Sequence, residues 1–64
     1  MISKMPARQV LTPEIEGKLR SLALILSSVA EEAADHGLEQ SFLLLREARQ
    51  MLLDEARKYY GLEL

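Results

Sequence analysis

The 64-residue chain has no cysteine and no tryptophan, and it contains only three glycines, two prolines and three aromatic residues. Without cysteine it forms neither a disulfide framework nor a thiolate metal site, the devices that often stabilise small domains. With few glycines and prolines and 48% hydrophobic residues, it is too apolar to remain disordered. Because a chain of this length buries only about 60% of its unfolded surface, we expect a single marginally stable domain, residues 1–64, that is helped by a second copy.

Long hydrophobic runs are also missing, and the longest cover residues 22–26 and 42–45. Neither approaches the roughly 20 apolar residues that span a bilayer. The first ten residues lack the apolar segment of a secretory signal. We therefore expect a cytoplasmic protein that does not associate with membranes.

The N-terminal half of the sequence divides into an arm and a first helix. Residues 1–11 show no hydrophobic period and are predicted to form an arm. Thr12 is suited to accept a hydrogen bond from a free backbone amide, and Pro13 loses no hydrogen bond at the first helical position. Gly37 stands where a left-handed residue ends many helices. We predict helix 1 over residues 12–36.

A second helix is predicted over residues 39–60, after a turn at residues 37–38. Basic residues stand in its last turn, and Gly61 follows it as Gly37 follows helix 1. Residues 61–64 form a C-terminal tail. Strands are not expected, because β-branched residues are few and no segment alternates strictly between apolar and polar residues. The predicted fold class is all-α.

The phase of the apolar residues distinguishes a hairpin from one continuous helix of about 48 residues, in which Gly37 would cost only about 1 kcal/mol relative to alanine. Around a single axis, the apolar seams of the two segments would lie on the order of 100° apart. A straight helix could not bury both seams on one partner, whereas in a hairpin each seam faces the other. We therefore predict an antiparallel two-helix hairpin.

The apolar surface of each helix is wider than one neighbouring helix can cover. The arc on helix 2 is about 200° wide, whereas about 100° covers one side of a core. We therefore expect two copies to pair around a two-fold axis as a four-helix bundle, with the parallel and antiparallel arrangements both open. The residues predicted to form the self-association core are Ile15, Leu19, Leu22, Leu26, Val29, Phe42, Leu45, Ala48, Leu52, Ala56 and Tyr59.

The sequence offers little that could carry catalysis. It has no glycine-rich phosphate loop, and its helical serines lack a histidine with an orienting group. Glu32 and His36 stand at a spacing that could share a divalent metal, but a histidine at a helix C-terminus also interacts favourably with the dipole, and we favour that structural role. We expect no enzyme activity, no catalytic residue, no metal or other cofactor, and no small-molecule substrate.

Arg49 is the most informative charged residue because it falls inside the apolar arc of helix 2. It could form an ion pair that sets the register of the dimer, or its stem could pack while its head reaches water, and we favour the second interpretation. Two leucines fall instead on polar faces, and the C-terminal segment carries both tyrosines. The candidate contacts for an unidentified protein partner are Leu24, Leu43, Tyr60 and Leu62.

An RNA-binding role is the alternative to a protein-binding role. Four basic residues are candidate RNA contacts, although they share no single stripe: Arg20, Arg46, Arg57 and Lys58. A chain of this length that forms two antiparallel helices and pairs as a four-helix bundle resembles, in layout alone, the Rop family of plasmid RNA-binding proteins. That resemblance implies an RNA-binding regulator using one face of the bundle, but no residue motif is shared. We favour a small interaction or regulatory module that acts by homodimerisation.

Overall fold

Two helices joined by a short turn make up most of residues 9–64, the part of the chain that this computed structural model describes. Helix α1 spans Pro13–Asp35 and helix α2 spans Glu39–Tyr60, so both lie within one residue of the predicted bounds. The two helices pack against each other, and residues 9–64 contain no strand. The all-helical hairpin is therefore confirmed. Most of the predicted arm falls outside the described residues.

The start of α1 is capped by Thr12. Its backbone is extended, and its side-chain Oγ1 accepts a hydrogen bond from the Ile15 backbone N–H at 3.1 Å. Pro13 occupies the first helical position, where a missing donor leaves no hydrogen bond unmade. Glu14 and Glu16 lie in the first turn, where carboxylates interact favourably with the helix dipole. Local residue chemistry thus determines where α1 begins.

The turn between the helices is built around Gly37, whose φ of 73° lies in the left-handed region. The Leu38 N–H donates to the Ala33 carbonyl at 2.8 Å, and the Gly37 N–H donates to the Ala34 carbonyl at 3.1 Å. These are the two hydrogen bonds of a Schellman motif, and they satisfy carbonyls at the end of α1. The chain reverses here, which excludes a single continuous helix.

Alanines form the most buried part of the contact between α1 and α2. Ala23, Ala30 and Ala33 of α1 and Ala56 of α2 are all less than a tenth exposed. Larger apolar side chains pack around these small ones and are half-buried. They are Ile15, Leu19, Leu26, Phe42, Leu45, Leu52, Leu53 and Tyr59.

Both chain segments beyond the helices contact the open end of the hairpin, where α1 begins and α2 ends. The Gln9 N–H donates a hydrogen bond to the Tyr59 carbonyl. Gly61, with a φ of 69°, follows α2, and its N–H donates to the Arg57 carbonyl at 3.0 Å. Leu62 is buried, so the tail folds back onto the helices. Across the described residues, neither helix is long and apolar enough to cross a membrane.

Candidate functional site

The C-terminal tail lies over one of the two grooves between the helices. Leu64 lines this groove together with Arg20, Leu24 and Ser27 of α1 and Arg49 of α2. We call this side of the hairpin, defined by those five residues, the tail face. The C-terminal residue thus comes to line a groove together with residues distant from it in sequence.

The other side of the hairpin carries a group of exposed apolar side chains, which we call the open face. On α1, Leu22, Ile25 and Val29 fall within about 60° of one another around the helix axis. On α2, a matching row follows the same three- and four-residue spacing. The open face consists of Leu22, Ile25 and Val29, which are 47%, 55% and 45% exposed, and of Leu44, Ala48 and Met51, of which Leu44 is 67% and Met51 62% exposed.

Both rows lie on the same side of the hairpin. The tail face uses the Ser27 side of α1 and the Arg49 side of α2. An α-helix turns by about 100° per residue. On this basis the exposed apolar row of α1 lies roughly 160° around the helix axis from Ser27, and that of α2 lies roughly 130° from Arg49. Both rows therefore border the second groove. Because the helices are antiparallel and joined at Gly37, Ile25 lies nearly level with Ala48, and the two rows form one continuous apolar surface.

The open face contains only part of the predicted self-association core. Leu22, Val29 and Ala48 lie on it. Eight other predicted residues lie between α1 and α2: Ile15, Leu19, Leu26, Phe42, Leu45, Leu52, Ala56 and Tyr59. The predicted core did not include Ile25, Leu44 or Met51, although each lies on the flank of an apolar arc. The width of the apolar arcs could have identified these residues from the sequence. One neighbouring helix covers the centre of an arc and leaves its flank exposed.

The candidate contacts for a different protein partner are dispersed. Leu24 is 71% exposed on the tail face, and Leu43 is exposed on the solvent side of α2. Tyr60 is half-buried. Leu62 is only 7% exposed, because it packs where the tail leaves α2, so its interpretation as a partner contact is not supported. These four residues do not form one surface.

Arg49 lies within the tail face and is half-buried. Its Nε atom is buried and has no hydrogen-bond partner among residues 9–64. Nε is thus shielded from water, whereas the residue as a whole is only half-buried. Because Arg49 lies away from the open face, an ion pair across that face does not fit its position.

The four basic residues considered as RNA contacts do not converge on one surface. Arg20 lies on the tail face, whereas Lys58 lies about 120° from Arg46 around α2. Each residue contacts a neighbour on its own helix: Arg20 with Glu16 at 2.8 Å, Arg57 with Asp54 at 3.2 Å, Arg46 over the Phe42 ring at 5.7 Å, and Lys58 over the Tyr59 ring at 5.5 Å. These local contacts give no support to a shared basic groove.

The only histidine, His36, contacts its own helix. Its Nδ1 atom lies 2.9 Å from the Glu32 backbone carbonyl oxygen and 3.9 Å from Glu32 Oε1. Within the described residues, no group of three or more histidine, aspartate or glutamate side chains could hold a metal ion. The position of His36 at the end of α1 suits the structural role that the sequence analysis favours.

The open face therefore brings exposed apolar side chains of both helices onto one side of the hairpin. Its centre is apolar, and charged residues lie only at its margins. Comparison of the chain with protein-family models, with curated proteins and with solved structures gave no match.

Proposed function

We propose that this protein is a non-enzymatic protein–protein interaction module that acts by homodimerisation, two hairpins pairing through their open faces into a four-helix bundle. The observation that supports this proposal is the continuous open face, to which both helices contribute. Contiguous exposed apolar patches are characteristic of interaction surfaces. A second hairpin offers a partner of matching length and apolar character.

Burial of the apolar area that the open face exposes provides the driving force for association. Fully burying a leucine, isoleucine, valine or methionine side chain is worth about 1.5–3 kcal/mol. Its five large side chains are 45–67% exposed, so burying the area that each still exposes contributes roughly 1 kcal/mol per residue before the cost of association. A dimer obtains this contribution from both copies.

The shape of the open face also suits helix packing. The two rows are parallel ridges with three- and four-residue spacing, the spacing that packs helices at about 20° in bundles. Ala48 lies between Leu44 and Met51, so the centre of the α2 row is low and permits close approach. The tail face lacks this geometry because its groove is lined by the polar side chains of Arg20, Ser27 and Arg49 and by Leu64 of the tail.

Sedimentation equilibrium of the full chain, from micromolar to high micromolar concentration, tests the proposal. We expect a concentration-dependent species with twice the 7.2 kDa chain mass, together with helical circular dichroism. A folded species that stays at the chain mass at the highest concentration would contradict self-association.

A further inference from the structure

Charge is distributed unevenly along the hairpin. The half nearest the turn, residues 25–48, has five acidic residues and one arginine, giving a net charge of -4 with His36 neutral. The other described half, residues 9–24 and 49–64, has five acidic and five basic residues and is neutral. The acidic residues near the turn are all exposed: Glu31, Glu32, Asp35, Glu39 and Glu47.

In the α1 row of the open face, apolar residues follow nearly the same spacing in both directions from Ile25. Leu22 stands three residues before it and Val29 four residues after it. Lys18 and Glu32 stand seven residues before and after it, within about 40° of each other around α1 and about 21 Å apart along it. Both are exposed. A two-fold axis near Ile25 that reverses α1 therefore sets each Lys18 against the Glu32 of the other copy.

The α2 row of the open face is also nearly symmetric about this two-fold axis. Leu44 and Met51 stand four residues before and three residues after Ala48. Ala48 is nearly level with Ile25 across the hairpin, so one axis passes close to the centres of both rows. A small residue on that axis allows the two α2 helices to approach closely.

We infer that the second copy docks on the open face in the antiparallel orientation, with the turn of each hairpin beside the open end of the other. This inference rests on the proposed homodimerisation and adds its geometry: α1 packs against α1 and α2 against α2. A parallel arrangement would bring both acidic turns to one end, a combined charge of -8 by the same count. The antiparallel arrangement places each acidic half against a neutral half and so avoids the repulsion between like charges.

Distances between spin labels measure the orientation directly. Because the chain has no cysteine, one introduced cysteine carries one nitroxide label. His36 is exposed at the turn, so His36→Cys labels are expected about 30–40 Å apart in the antiparallel dimer and below about 25 Å in a parallel one. The control is Ser28→Cys near the middle of α1, whose labels are expected below about 25 Å in either arrangement.

Charge reversal tests whether Lys18 of one copy lies against Glu32 of the other. Lys18→Glu and Glu32→Lys are each expected to raise the dimer dissociation constant by about 3- to 30-fold, because each affects two exposed ion pairs. Combining the two substitutions is expected to restore most of the affinity, since the pairs reform with exchanged signs.

The outcomes separate this inference from the proposed function. Short distances at both label positions, or a double variant no tighter than the single variants, overturn the antiparallel orientation while the dimer stands. A chain that stays at monomer mass, with no dipolar coupling at Ser28→Cys, overturns both.

Discussion

Leu44→Ala is the sharpest test that the open face is the self-association surface. The Leu44 side chain is 67% exposed in the single hairpin, and alanine retains a high helix propensity, so the substitution changes the folded hairpin little. In the dimer each copy loses about 1–2 kcal/mol of apolar burial. The loss occurs twice, so the dissociation constant is expected to rise by roughly 30-fold to several hundred-fold.

Leu24→Ala is the matched control. Leu24 is 71% exposed, lies in the middle of α1 and has the same chemistry, but it belongs to the tail face. We expect its dimer dissociation constant to stay within about twofold of that of the unmodified chain, a change below about 0.5 kcal/mol.

Sedimentation equilibrium at several loading concentrations measures both constants, and circular dichroism verifies that both variants are helical. If Leu24→Ala weakens the dimer as much as Leu44→Ala does, the open face is not the self-association surface. The same holds if Leu44→Ala leaves the dissociation constant unchanged. Either result would move the interface away from the open face.

Three further predictions concern the hairpin itself. Gly37→Ala is expected to lower the free energy of unfolding by about 1–2 kcal/mol, because the left-handed φ strains alanine. Nothing lies within 4 Å of the added Cβ, so the expected cost comes from the backbone conformation. An unchanged urea midpoint would therefore contradict the turn geometry. Thr12→Ala is expected to cost about 1 kcal/mol through the lost cap, with Thr12→Ser as the control that retains the hydroxyl; equal urea midpoints for the two variants would argue against the cap. Arg49→Met is expected to raise stability by about 1 kcal/mol, since it removes a buried donor without a partner, and to leave the dimer mass unchanged; a lower thermal midpoint would indicate that Arg49 has a stabilising partner.

The sequence predicted the helices more completely than the candidate site. The helix ends depend on neighbouring residues, such as Thr12 with Ile15 and Gly37 with Ala34, and such signals are visible in a single sequence. The site was only partly predicted. Periodicity identified the centre of each apolar arc, whereas most of the open face lies on the flanks, where Ile25, Leu44 and Met51 were not selected.

The sequence by itself determined the two helices, the turn at Gly37 and the excess of apolar surface, because these follow from caps, backbone conformation and periodicity within a few residues. The tertiary structure alone decided which groove remains open. That choice depends on the position of the tail residue Leu64, which lines the same groove as Leu24 and Arg49, residues far from it in the chain. Side-chain periodicity defines the faces of each helix, but only the packing of distant segments determines which face is covered.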